Sequence, residues 1–204
     1  MSFKDTYTDG VRQAVVPIAG RIVSRSHITP NALTVAGLLL NVATVPFLVT
    51  GHFVLGAVVL LVAGACDMLD GAVARLSAQV TPFGAFLDST SDRLSEGVVL
   101  LAIGVRFAGH GGIWDLAGVF IALIMSFLVS YTRARAEALG LECKVGVASR
   151  PERIVLLAIG LFAARYDVLP AMIWVIAVLT TYTVAQRILH VRKRLVDAGP
   201  GATA

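Results

Sequence analysis

The chain has 204 residues, 57% of them hydrophobic and 15% charged, with a formal net charge of +4 and a mean hydropathy of +0.82. Soluble domains carry about 25% charged residues, so this composition excludes an ordinary water-soluble core and points to an all-α integral membrane protein. Its basic residues flank apolar stretches instead of forming a soluble basic surface, which argues against a nucleic-acid partner. Cys66 and Cys143 are too few and too separated for a disulfide framework, and His27, His52, His110 and His190 show no zinc spacing.

Residues 1–28 form a juxtamembrane arm without a secretory leader's apolar core. Val11, Val15, Ile18 and Ile22 recur at helical spacing with Arg12, Arg21 and Arg25 between them. This predicts an N-terminal amphipathic surface helix, bent or broken at Pro17; a soluble arm is the alternative. Crossing about 30 Å of hydrocarbon takes about 20 apolar residues. Six such runs follow, at 31–50, 53–76, 83–107, 113–138, 152–165 and 169–190, the fifth being short. The expectation is a single domain over 1–204, with a six-helix bundle over 31–190 and a tail over 191–204 whose last residues, 199–204, are disordered.

With six spans, only Arg106 and Arg165 of the 17 basic residues fall on one side. The others, among them Arg75, Arg133, Lys144, Arg150 and Arg187, mark the opposite side as cytoplasmic. Both termini are therefore expected in the cytoplasm, in a multi-pass protein of the cell membrane whose basic face suits anionic head groups or phosphorylated substrates.

The second run ends with Asp67, Asp70, Gly71, Ala74 and Arg75 at i, i+3, i+4, i+7 and i+8, one face of a helix. The third carries Gly84, Asp88 and Asp92 at i, i+4 and i+8. A short turn through Thr81 and Pro82 makes the two helices antiparallel neighbours, so the acidic stripes are expected to meet near the membrane boundary. One carboxylate at the bilayer centre costs at least about 2.5–3.5 kcal/mol, and four cost on the order of 10 kcal/mol, comparable to the stability of a whole domain. Arg75 alone does not balance them. Oxygen-only donors suit hard cations such as Mg²⁺ or Mn²⁺. A single glycine here is better read as helix packing; beside four carboxylates, Gly71 and Gly84 suggest close approach of a ligand.

The segment Asp67 to Asp92 resembles the signature of the CDP-alcohol phosphotransferase family, D-x-x-D-G-x-x-A-R-x8-G-x3-D-x3-D, without departure in residue or spacing. The resemblance implies a homodimeric six-span enzyme with a cytoplasmic N-terminal helix and active site, transferring a phosphatidyl-type group from a CDP-activated lipid to an alcohol. It implies two Mg²⁺ ions (Mn²⁺ as the alternative), one on Asp67, Asp70 and Asp88 and the other on Asp67, Asp88 and Asp92. Asp92 would also be the catalytic base, and Asn31, Ala32, Leu33, Thr34, Gly71, Arg75 and Thr81 contacts of the CDP-lipid. Pro30-Asn31 followed by Thr34 is also an ordinary helix start.

Tyr131–Glu137 and Arg150–Arg153 are similar to the corresponding segments of prokaryotic phosphatidylinositol-phosphate synthases and their archaeal counterparts. This implies inositol 1-phosphate as acceptor, CDP-diacylglycerol or a diether analogue as donor, and release of CMP. Arg133, Arg150, Arg153 and Arg187 would bind the acceptor phosphate through charge-assisted hydrogen bonds; marking the cytoplasmic boundary is their simpler role. Ser149 stands where relatives often have an acidic residue, and Arg133 where they often have lysine. The nearest alternative is a phosphatidylglycerophosphate synthase using glycerol 3-phosphate, although Asp88–Arg93 lacks the proline and lysine common there. A membrane prenyltransferase would show a second aspartate motif in the other half. A membrane cation transporter would show repeats or broken helices, and neither rival would release CMP.

Overall fold

The computed structural model describes residues 17, 19–21 and 29–198. The predicted surface helix is described only at 17 and 19–21, which are helical; the rest of the arm, with Val11, Val15, Ile18 and Ile22, and the tail at 199–204 lie outside the described residues. Every long element is helical: α1 Pro30–Val49, α2 Phe53–Leu76, α3 Pro82–His110, α4 Ile113–Ala138, α5 Arg150–Phe162 and α6 Val168–Ala198, with a 3₁₀ turn at Ala164–Tyr166 before α6. No strand occurs among the described residues.

Four of these helices, α1, α2, α4 and α6, are long and apolar enough to cross a membrane. Along their apolar stretches large side chains face outward, Leu39, Val62, Ile124 and Val178 among them, as lipid-facing surfaces require. At 29 residues α3 has the length, but it carries Asp88, Asp92, Arg93, Glu96 and Arg106. The 13 residues of α5 reach about 20 Å at 1.5 Å per residue, short of the hydrocarbon thickness.

The helix ends follow from local chemistry. Thr29 caps α1, its hydroxyl accepting from Ala32 N at 3.3 Å, and Pro30 occupies the first turn, where a missing N–H costs nothing. Three helices close with a left-handed residue and a bond spanning five residues. These bonds are His52 N to the Phe47 carbonyl after α1, Gln79 N to Ala74 after α2 and Leu141 N to Ala136 after α4. Gly51 and Gly140 take the left-handed position in the first and third, but Ala78 holds it in the second, with φ 54°. A side chain there is strained by roughly 1 kcal/mol.

The helices group into two compact units. One contains the described residues up to Val45 together with Val58–Val99, and the other Pro46–Ala57 and Leu100 onward. In the first, Ala19, Ala72 and Val73 form a buried cluster flanked by Leu33 and Leu69. In the second, α4 and α6 pack along their lengths, with α5 against α6. The buried face of α4 is small, with Gly118, Val119, Ala122, Ser126 and Val129; Ile173, Ile176, Ala177, Thr180 and Thr183 are buried on α6. Small residues let helices approach where lipid supplies no hydrophobic drive. A Cβ on Gly118 would stand 3.1 Å from the Trp174 ring, and one on Gly160 of α5 would stand 2.9 Å from the Met172 Cβ.

Met172 Cβ is fixed to the backbone of α6 and does not swing away, so Gly160→Val should force α5 off α6. Overpacking of this kind costs about 1–3 kcal/mol. Thermal unfolding in detergent should show a midpoint several degrees lower; an unchanged midpoint would show that this contact is not close packed.

Candidate active site

The acidic stripes lie in the first unit. Asp67 and Asp70 sit in the last turns of α2, and Asp88 and Asp92 in the first half of α3. Asp70 is 4% exposed, and its Oδ2 accepts a hydrogen bond of 2.5 Å from the Thr34 hydroxyl on α1. One turn earlier on α2, the Asp67 carboxylate presses against α1 at Gly37, where any Cβ would overlap its Oδ1. The Gly37 carbonyl in turn accepts from Asn41 Nδ2 at 3.0 Å. Glycine at this position admits a carboxylate against a helix backbone, a close approach no other residue allows.

Thr81 opens α3, its hydroxyl accepting from Gly84 N at 3.0 Å. Gly84 leaves space beside Asn31 of α1, whose Oδ1 would be 3.2 Å from an added Cβ. The Arg75 side chain folds back so that Nη1 lies 3.4 Å from where a Cβ of Gly71 would be.

These residues enclose a cavity of about 300 Å³ lined by Asn31, Thr34, Asp70, Gly71, Arg75, Thr81, Gly84 and Asp88. Ala32 and Leu33 stand outside it: Ala32 is exposed and Leu33 packs on the Ala19 cluster. They share a helix start with Asn31 and Thr34 but occupy other faces of it. The sequence reading overlooked Pro30, Gln79 and Val80, which complete the wall, and Gly37. Gln79 and Val80 belong to the turn between two recognised motifs, and Gly37 sits in an unremarkable apolar run.

Asp67 and Asp88 both lie within electrostatic reach of Asp70, while Asp67 and Asp92 are half-buried without lining the cavity. As the side chains stand, no three His, Cys, Asp or Glu residues among the described ones are gathered tightly enough to cage an ion. Like charges separate, and Asp70 is turned toward Thr34. The donor set is all carboxylate oxygen on two neighbouring helical stripes, with Asp70 and Asp88 on the wall of the cavity, and this chemistry fits a hard divalent cation.

The four arginines lie in the second unit. Arg153 of α5 is buried, and its Nη1 donates to the Ala148 carbonyl at 3.0 Å. Arg187 of α6 is buried too; its Nε donates to the Val145 carbonyl at 2.9 Å and its Nη1 to that of Val129. Arg133 is exposed at the end of α4 and pairs with Glu137 at 2.8 Å. Arg133 and Arg153 are both within electrostatic reach of Arg187. Arg150 opens α5 after Ser149. The Ala148 amide donates to the Thr183 hydroxyl at 3.0 Å, tying the loop before α5 to α6. Three of the four guanidinium groups thus share one neighbourhood, Arg153 and Arg187 bonded to backbone carbonyls and Arg133 to Glu137.

A family model described as CDP-alcohol phosphatidyltransferase matches residues 27–186. The archaetidylinositol phosphate synthase of Methanothermobacter thermautotrophicus is 41% identical over 91% of this chain and 92% of its own. The phosphatidylinositol phosphate synthase of Mycobacteroides abscessus is 37% identical over 91% of this chain and 84% of its own. Among solved structures, Mycobacterium tuberculosis phosphatidylinositol phosphate synthase with CDP-DAG bound superposes with a TM-score of 0.82 at 32% identity, covering 93% of this chain and 96% of that one. The same enzyme in complex with manganese and citrate gives 0.81 at 33% identity, covering 92% and 91%. This chain belongs to the CDP-alcohol phosphatidyltransferase family.

Proposed function

We propose that the protein transfers a phosphatidyl-type group from CDP-diacylglycerol, or its diether analogue, to a hydroxyl of inositol 1-phosphate, releasing CMP. The observation that carries this reading is the cavity on which Asp70, Asp88 and Arg75 converge. Such a pocket suits a pyrophosphate: Arg75 supplies a fixed cation, and the carboxylates supply ligands for divalent ions. Asp67, Asp70 and Asp88 would hold one ion, and Asp67, Asp88 and Asp92 a second, Mg²⁺ in our reading. Bound there, the ions would offset charge on the attacking and leaving oxygens. Asn31, Thr34, Gly71 and Thr81 would orient the nucleotide. Asp92 would accept the acceptor hydroxyl's proton as that oxygen bonds to the lipid-side phosphorus and CMP departs with the electrons of the broken P–O bond.

The inositol 1-phosphate assignment is supported by the names of the bacterial and archaeal relatives and by the guanidinium neighbourhood of Arg133, Arg153 and Arg187. Guanidinium groups gathered in this way suit a phosphate monoester, which accepts charge-assisted hydrogen bonds from several of them. Arg150 at the start of α5 would add to it. The family match runs through both compact units, which supports reading the chain as one catalytic domain. It also supports counting α3 and α5 with the four apolar helices as a six-span homodimeric protein of the cell membrane, both termini and the site facing the cytoplasm.

Asp92→Asn should abolish CMP release while leaving CDP-lipid binding largely intact, because an amide accepts no proton at this step while three other carboxylates remain. Turnover near wild type would overturn the assignment of the base. Binding and turnover are to be measured separately.

Arg153→Ala should raise the KM for inositol 1-phosphate by roughly ten- to a hundredfold, the equivalent of one charge-assisted bond, with little change in CDP-lipid KM. Because Arg153 also holds the Ala148 carbonyl, the melting temperature must be followed alongside. Equal losses for both substrates would indicate damage to the fold. Activity with glycerol 3-phosphate in place of inositol 1-phosphate would leave the reaction class standing and reject the acceptor.

Orientation is tested in a variant lacking Cys66 and Cys143. Single cysteines introduced beside Thr81 and Lys144 should react with an impermeant thiol reagent only from the cytoplasmic side, and one beside His110 only from the other. Identical labelling of all three positions would overturn the topology.

A further inference from the structure

A second cavity, of about 410 Å³, lies in the groove between the C-terminal ends of α4 and α6, inside the second unit. Of its lining residues the proposed function uses Arg187 alone. It opens outward, because Tyr131, Leu139, Ile188 and Val196, all on its wall, are exposed, whereas α4 and α6 pack through Val129, Thr180 and Thr183, which are buried. Leu139, Ile188, Val191, Leu195 and Val196 make its wall apolar, and Arg135, Arg187 and Arg192 supply charge at its edge. Among the described residues no acidic side chain lines it; the nearby Glu137 is paired with Arg133.

The depth of the groove is fixed by the helices that form it. Both are long and apolar enough to span, and the groove lies at their C-terminal ends, Ala138 and Ala198. The 31 residues of α6 reach about 46 Å, more than the hydrocarbon thickness of about 30 Å, so its basic last turns emerge at the membrane boundary. Tyr131, with Arg135 one turn further along α4, has the amphipathic character of residues at head-group level. An apolar slot capped by cations at this depth matches the two halves of an anionic phospholipid, and basic pockets between helices at such a boundary bind anionic head groups.

We propose that this groove is a binding site for one anionic phospholipid of the surrounding leaflet, separate from the CDP-lipid donor, with its phosphate on Arg135 and Arg192 and a chain along Ile188, Val191 and Leu195. The site stands independently of the catalytic reading, and its test reads bound mass, not turnover.

The experiment is native mass spectrometry of detergent-purified full-length protein titrated with phosphatidylglycerol or with phosphatidylcholine. Wild type should retain phosphatidylglycerol adducts preferentially. The double variant Arg135→Gln/Arg192→Gln should weaken that retention by about tenfold or more, at about 1 kcal/mol per surface cation. Val191→Trp fills the groove without changing charge and should reduce the same adducts. Equal retention of the two lipids, or unchanged adducts in both variants when both remain folded by melting temperature, overturns the proposal. So does displacement of the adduct by stoichiometric CDP-diacylglycerol, which would make the groove part of the donor site. Loss of a dimer peak in Val191→Trp with no change in lipid adducts would show instead an interface between copies, and would equally reject it.

Discussion

Carboxylates placed in helices that a membrane must accommodate are the constraint on which the rest of this molecule turns. Asp67, Asp70, Asp88 and Asp92 fall within two helices, at a cost on the order of 10 kcal/mol if left bare in hydrocarbon. The structure relieves part of that cost locally. Asp70 receives the Thr34 hydroxyl, and Asp67 is accommodated against Gly37. A cavity opens beside Asp70 and Asp88. Each of these devices depends on α1, which contributes no charged side chain of its own. Its role is to present a hydroxyl and a bare backbone at the right two turns.

The second unit handles an opposite charge in a similar way. Arg153 and Arg187 are buried, and their guanidinium groups are held by the carbonyls of Ala148, Val145 and Val129. Backbone carbonyls satisfy such donors without adding a counter-charge of their own. The loop before α5 supplies two of these carbonyls, Val145 to Arg187 of α6 and Ala148 to Arg153 of α5, and its Ala148 amide is fixed on Thr183.

Across the membrane-facing surface the rule is reversed. Exposed side chains on the apolar helices are large and greasy, while the packed faces of α4, α5 and α6 use Gly118, Ala122, Gly160 and Ala177. Lipid gives no reason to hide a leucine, so size is spent outward and closeness inward. The groove between the ends of α4 and α6 is where this pattern changes, with an apolar wall meeting Arg135 and Arg192 at the boundary.

Much of this was determined by the sequence alone. Apolar run length and Gly, Pro and Thr punctuation located six helices to within a few residues, except that α6 runs on through its basic end to Ala198, past the apolar run that closed at 190. The spacing of Asp67 to Asp92 placed the carboxylates on two helical faces and identified the family, because helical periodicity converts spacing into direction. The tertiary structure decided which of the residues at the start of α1 reach the cavity: Asn31 and Thr34 line it while Leu33 turns to the core, a difference of helix face that depends on how α1 is rotated against α2. It also decided that Gly37, one glycine among 19 in the chain, sits where Asp67 needs room. It showed as well that Arg153 and Arg187, which the sequence marked as candidate phosphate ligands, are buried with guanidinium nitrogens on backbone carbonyls. Those facts belong to contacts between residues tens of positions apart, and no local pattern in a single chain encodes the distance between them.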